Sequence, residues 1–161
     1  MNSSTQQLHS IFQQQIAGAK QLLDALKMEN EALVQRDFDV IQNSTSLKTG
    51  LTQTLEKLGK QQREFLLSNG QTDSADGMES YIALQTSPAA NILKQQKSEL
   101  QPILEQCQTM NQVNGNIIAA SKQSAETALA ILRGQLSPEN LVYSAGGQPV
   151  SDHSTSTLTR A

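Results

Sequence analysis

The chain of 161 residues carries a net charge of −3, and 3% of its residues are aromatic, with no tryptophan. Its apolar residues are mostly Leu, Ile and Ala. These favour seams between helices over a thick core, because aromatic side chains supply much of the burial in compact cores. No segment concentrates Lys or Arg, so the sequence lacks the basic patch that is typical of nucleic-acid-binding proteins. Apolar runs are a few residues long, against the roughly 20 that span a bilayer, so we expect no stable membrane insertion.

The N-terminal sequence MNSSTQQ has neither the basic nor the apolar region of a secretory signal. The single cysteine, Cys107, excludes an intramolecular disulfide framework. Together these features predict a cytoplasmic protein.

The first predicted element is a long helix from about Thr5 to Gln35. Apolar residues recur there at intervals of three, four and seven, which is the spacing of one helical face. The members of this stripe are Leu8, Phe12, Ala19, Leu22, Leu26 and Leu33. Gln15 and Glu29 interrupt it, so a strict zipper is not predicted.

A second helical stripe follows after about two residues, and Asp37 or Asp39 is the predicted cap of its first turn. Its apolar members are Phe38, Ile41, Leu51, Leu55, Leu58 and Phe65. Thr45 and Lys48 lie in the middle of the stripe and weaken its early part. The short link between the two helices predicts an antiparallel hairpin over residues 1–68.

A loop rich in turn residues, 69–77, precedes a predicted short helix from Met78 to Leu84. A third long helix is predicted to open at Ser87-Pro88 and to end at Gly134, a C′ glycine. Its apolar positions are Ile92, Leu93, Leu100, Ile103, Leu104, Cys107, Met110, Val113, Ile117, Ile118, Ala128, Leu129, Ile131 and Leu132. Pro102 should kink this helix or split it near Leu100.

The predicted fold class is therefore all-α, with a long antiparallel helical hairpin and a third long helix in a coiled-coil-like bundle. The predicted segments are the hairpin (1–68), a loop with a short helix (69–87), the third helix (88–134) and a flexible C-terminal tail (135–161).

Catalytic and metal-binding motifs are missing from the sequence. His9 and His153 lie near opposite ends of the chain, and they do not cluster with Cys107 as metal ligands would. A phosphotransfer domain would need an exposed histidine in the middle of a helix, whereas His9 lies in a first turn. Cys107 has apolar neighbours and no nearby histidine, which predicts an inert thiol with a raised pKa in a core or groove. We expect no enzyme activity, cofactor or metal.

Three features are candidates for binding. The face from Cys107 to Leu132 mixes apolar residues with Asn, Gly and Ser, and it suits either core packing or a groove for a partner helix. The tripeptide Asn114-Gly115-Asn116 is costly within a helix. We interpret it as an exposed imperfection or a local kink; the alternative is a hinge or a point where a partner backbone comes close. The apolar run Leu141-Val142-Tyr143 either packs back on the bundle or docks to a partner.

Three segments carry a family resemblance. The first is LLDALKMENEAL (22–33) running into RDFDVI (36–41), the second is NGNII (114–118), and the third is ALAILRG (128–134) followed by YSAGGQ (143–148). In their order and spacing the chain resembles the flagellar export chaperone family FlgN over nearly its whole length.

The resemblance implies a cytoplasmic chaperone that holds the flagellar hook–filament junction proteins FlgK and FlgL by their C-terminal helical segments. It also implies delivery to the type III export gate. The third helix of the family binds the substrate, which implies a face made of Cys107, Met110, Val113, Ile117, Ile118, Leu129 and Leu132. The family's tail tyrosine is associated with docking to the export-gate protein FlhA, which implies that role for Tyr143. The alternative is a structural coiled-coil adaptor or a weak homo-oligomer built on the same seams.

Overall fold

The computed structural model of the chain describes residues 3–134, 141–143 and 149–151. Within these residues it contains four helices and two short strands. They are α1 (Ser3–Gln35), α2 (Phe38–Ser68), α3 (Ala75–Ala83), α4 (Ser87–Leu132), β1 (Leu141–Tyr143) and β2 (Pro149–Ser151). The predicted helical fold class is confirmed. The chain divides into two compact units, residues 1–117 and 118–161, which are described separately below.

A two-residue turn joins α1 to α2. Asp37 is the N-cap of α2, and its side chain accepts a hydrogen bond from the backbone N–H of Val40. Arg36 has a φ of 59°, in the left-handed region, which reverses the chain within so short a link. Of the two predicted caps, Asp37 therefore fills the role, and the predicted hairpin is present.

In the first unit, α1 contacts both α2 and α4. Gln15 reaches Gln62, and Glu29 reaches Lys48, so α1 and α2 are antiparallel. α1 also runs parallel to α4, since contacts with α4 advance along both helices together. They include His9 with Gln96, Ala19 with Cys107 and Leu26 with Asn114. The main apolar cluster holds α1, the end of α2, α3 and the start of α4 together. Its buried members are Leu8, Ile11, Phe12, Ile16, Ala19, Phe65, Leu66, Met78, Tyr81, Ile82, Leu93 and Leu100.

The short helix α3 begins three residues earlier than predicted. Ser74 is its N-cap and accepts a hydrogen bond from the backbone N–H of Gly77. Tyr81 of α3 packs edge-to-face on Phe65 of α2, with ring centroids 5.0 Å apart. Gly77 is required by space, because a Cβ there would lie 2.1 Å from the carbonyl oxygen of Thr72. The loop and α3 therefore fold closely onto the end of the hairpin.

One detail of the predicted stripes is wrong. Phe38 is not in the seam of the hairpin, because it lies in the first turn of α2 with its side chain 78% exposed. Of the two outcomes predicted at Pro102, a kink or a split near Leu100, the split does not occur, since α4 runs without a break from Ser87 to Leu132. Pro102 lies on the exposed side of α4. There, water can satisfy the carbonyl group that the proline leaves without its N–H partner.

In the second unit, α4 ends as the sequence predicts. Gly134 has a φ of 71°, and its N–H donates to the carbonyl oxygen of Ile131. Residues 141–143 and 149–151 form an antiparallel pair in which Val142 is opposite Val150. The rest of the segment predicted to be a flexible tail lies outside the described residues.

Candidate functional site

The last fifteen residues of α4, 118–132, form an exposed helical segment in which no residue is buried. Ile118 and Leu129 are each 47% exposed, and Leu132 is 84% exposed. Together with Ala125 they are spaced at seven, four and three residues, so they share one face of the helix. Isolated helices are marginal in water and normally gain their stability by packing an apolar face. An uncovered face of this kind is what a helix-binding surface provides.

The first half of the predicted substrate-binding face belongs to the other unit and is more covered. Met110 and Ile117 are half-buried, while Val113 is 42% exposed. Cys107 is buried at 5% exposure, and its Sγ donates to the backbone oxygen of Ala19, 3.4 Å away. The seven predicted residues therefore do not form one open face, because Cys107 lies on the side of α4 that packs against α1.

The thiol of Cys107 has the character predicted from the sequence. Burial raises its pKa, and the positive charge of Lys27 offsets part of this rise. A protonated, buried thiol is a poor nucleophile. Cys107 acts as a small apolar residue that packs with Leu23 and Leu26 of α1.

A buried polar cluster joins the three long helices inside the first unit. Glu29 of α1 is 1% exposed, and its carboxylate accepts hydrogen bonds from Lys48 at 2.7 and 3.0 Å. It also accepts from Thr45 at 3.3 Å and from Asn114 at 2.8 Å. The cluster therefore fixes the register of α1 against both α2 and α4.

Asn114 is the link from this cluster to α4, and it is 1% exposed. Its Nδ2 donates to the backbone oxygen of Leu26 as well as to Glu29, and its Oδ1 accepts from Asn30. The favoured interpretation of Asn114-Gly115-Asn116 as an exposed imperfection is thus wrong for Asn114. Gly115 is exposed, and a Cβ added there would meet nothing within 4 Å.

The carboxyl group of Glu29 is shifted by this environment. Burial alone would raise its pKa, but hydrogen bonds from Lys48 and Asn114, with the charge of Lys48, hold the pKa below its ordinary value of 4.5. The folded state therefore binds this proton more weakly than the unfolded state does. The stability that this difference contributes is fully present above the unfolded-state pKa of Glu29. It is lost as the pH falls through the folded-state pKa.

We expect the free energy of unfolding to fall as the pH is lowered from about 5 through the folded-state pKa of Glu29. Urea titrations at several pH values measure this slope for the native chain and for Glu29→Gln. The variant has no carboxyl group at this position, so its slope should be shallower, although it is less stable at neutral pH. Equal slopes for the two chains would show that Glu29 does not contribute.

Gln15 is a second buried polar residue on α1, and it is only partly satisfied. Its Nε2 donates to Oε1 of Gln62 at 2.7 Å, while its own Oε1 is buried without a hydrogen-bond partner among the described residues. A buried unsatisfied acceptor costs free energy, whereas an apolar side chain of similar shape does not. Gln62 is half-buried and can turn toward water when this bond is lost.

Replacing Gln15 with methionine should therefore raise the free energy of unfolding by about 1 kcal/mol. Chemical denaturation of the two chains gives this difference. Gln13→Met is the matched control, because Gln13 lies on the exposed side of the same helix and its substitution should change little. A loss of stability in Gln15→Met would mean that the bond to Gln62 outweighs the unsatisfied oxygen.

The remaining candidate features are a metal site, the histidines, a membrane span and Tyr143. Residues 3–134 contain no cluster of His, Cys, Asp and Glu able to hold a metal ion. His9 shares a hydrogen bond with Gln96, and His153 is outside the described residues. None of the four helices is both long and apolar enough to cross a membrane. Tyr143, the predicted docking residue, lies in β1.

Comparisons with known proteins identify the family of the chain. The family model described as "FlgN protein" matches residues 1–151. The crystal structure of a flagella synthesis protein FlgN from Pseudomonas aeruginosa is similar, with a TM-score of 0.64 and 32% sequence identity. The match covers 82% of this chain and 99% of that one. No curated protein is significantly similar to the chain. This chain belongs to the FlgN family, which is a family of flagellar chaperones and not of enzymes.

Proposed function

We propose that the chain is a cytoplasmic export chaperone for the flagellar hook–filament junction proteins FlgK and FlgL. It binds their C-terminal helical segments and delivers them to the export-gate protein FlhA. Membership of the FlgN family supports a flagellar chaperone role. The observation that carries the substrate-binding step is the uncovered apolar face of residues 118–132.

Physical chemistry explains why such a face would serve a chaperone. An amphipathic helix that awaits assembly exposes apolar surface and is prone to self-association. A chaperone helix can cover it by packing in the helix-in-groove manner. Full burial of a leucine side chain contributes about 1.5–3 kcal/mol, so Leu129 and Leu132 together supply a useful part of a reversible interaction.

The proposal is tested by mixing the full chain with a C-terminal helical fragment of FlgK or FlgL. Calorimetry and co-elution should show a stoichiometric complex, formed with a negative heat-capacity change because apolar surface is buried. Absence of a complex contradicts the proposal. Dimers that persist on dilution and bind neither fragment would instead favour the structural adaptor.

Delivery is proposed to depend on Tyr143, which lies outside the substrate-binding segment. We expect Tyr143→Ala to bind the junction-protein fragment with unchanged affinity and to bind FlhA about tenfold more weakly, as loss of an aromatic anchor implies. Titrating both partners into the same preparation measures the two effects. Tyr143→Phe keeps the ring and is the matched control. Equal loss of both interactions would contradict a separate docking role.

A further inference from the structure

A groove runs along the first compact unit, between α2 and α4 and over α1. One cavity of about 600 Å³ is lined by Leu22 and Leu26 of α1. A second cavity of about 510 Å³ is lined by Phe12, about three to four turns closer to the start of α1. Leu104 and Gln108 of α4 line both cavities, so the two are parts of one groove.

The size and the base of the groove suit a helix. Its lining on α4 extends from Lys97 to Asn111. That stretch is about 21 Å long at the rise of an α-helix, or roughly four turns. The apolar side chains that line the groove come from all four helices, and Leu104 of α4 is 42% exposed. An apolar base of this length matches the stripe of an amphipathic helix.

The charge of the groove decides what kind of helix fits. Lys48 and Lys97 line it, but each is already paired with a carboxylate outside the lining. Asp73 is paired with an arginine. Glu56 on α2 and Glu105 on α4 have no ion pair within residues 3–134. The charge left available to a ligand is therefore acidic on both walls.

We propose that this groove binds an amphipathic helix of a partner protein, about 14 residues long, whose apolar stripe is flanked by Lys or Arg. A second copy of this chain fits poorly, because the chain carries a net charge of −3 and two acidic grooves would meet. The segment 135–161 fits poorly as well, with one arginine against two acidic residues. The proposal concerns residues 3–117 and does not rest on the function proposed for the end of α4.

Two synthetic peptides of about 18 residues test the proposal, long enough that frayed ends lie outside the groove. Both carry the same leucine stripe, and its flanks are Lys in one and Glu in the other. Calorimetry with the full chain should show one Lys-flanked peptide bound per chain. The Glu-flanked peptide should bind at least about tenfold more weakly, and the difference should shrink in high salt.

Variants of the groove locate the binding. Leu104→Gln and the double variant Glu56→Lys with Glu105→Lys should each weaken the Lys-flanked peptide by at least about tenfold. Leu67→Gln is the matched control for the first, because Leu67 is 60% exposed on α2 and lines neither cavity. Glu31→Lys is the charge control. Circular dichroism reports whether each variant is folded. If Leu104→Gln does not fold, the double variant still tests the groove.

Several results would overturn the proposal. They are the absence of binding by the Lys-flanked peptide, equal binding to the native chain and to the groove variants, and loss of binding only in Leu129→Gln. A native chain that is dimeric and becomes monomeric in Leu104→Gln would also overturn it, since the occupant would then be a second copy.

Discussion

Replacing Lys48 with methionine should lower the free energy of unfolding by about 3 kcal/mol, because it leaves the carboxylate of Glu29 buried without its counter-ion. Glu29 is 1% exposed and Lys48 22% exposed, so water cannot replace the lost ammonium group. The hydrogen bonds from Asn114 and Thr45 remain and recover part of the cost. Methionine keeps the length of the aliphatic chain, so the decrease in the free energy of unfolding measures the effect of removing the positive charge. Urea denaturation at neutral pH measures it.

The chain offers a matched control for this prediction. Lys20 and Glu99 are also 2.7 Å apart, but both side chains are largely exposed. Lys20→Met should therefore cost less than about 1 kcal/mol. Combining Lys48→Met with Glu29→Leu removes both charges of the pair and should give a more stable chain than Lys48→Met alone. A cost for Lys48→Met as small as that for Lys20→Met would contradict the assigned burial of the cluster.

Replacing Leu129 with lysine is expected to weaken the complex with a junction-protein fragment by at least about a hundredfold, because an unpaired charge would be buried at the interface. Leu129 is 47% exposed in the free chain, so the fold itself should tolerate the change. Calorimetry gives the affinity, and thermal unfolding reports the integrity of the chain.

Leu67→Lys, on an exposed part of α2, is the control and should bind the fragment as the native chain does. If Leu129→Lys unfolds, Leu129 is a core residue and not part of a binding face. If it is folded and binds normally, the substrate lies elsewhere on the chain.

The helices could be predicted from the sequence because their signals are local. Asp37, Ser87-Pro88 and Gly134 mark helix ends through hydrogen bonds and dihedral angles that involve only neighbouring residues. The hairpin follows from the two-residue link, which leaves the second helix no other direction.

The buried polar cluster could not be predicted in the same way. Periodicity treats Glu29 and Lys48 as interruptions of two separate stripes, and it treats Asn114 as a flaw in a third. They are compatible with the core only because the fold brings them together. In the chain, Glu29 is 19 residues from Lys48 and 85 residues from Asn114. Phe38 shows the opposite error: periodicity placed it in a buried stripe, but a large apolar residue at the start of a helix can remain exposed.

The sequence indicates which residues share the candidate face of α4, but not which of them are exposed. The spacing of apolar residues identifies the face of α4, and Cys107 and Leu129 are both consistent with it. Which of them is covered depends on where α1 packs, and the sequence of α4 does not contain that information. The burial of Cys107 and the exposure of Leu129 are therefore results of the tertiary structure.

Hydrogen exchange on the full chain, with and without a C-terminal fragment of FlgK or FlgL, tests whether the end of α4 binds the substrate. We expect fast exchange of the amides of residues 118–132 in the free chain, because no residue of this segment is buried. On binding, protection should rise chiefly there, while α1 changes little. Binding that leaves residues 118–132 unprotected would contradict the claim that the end of α4 is the substrate-binding surface.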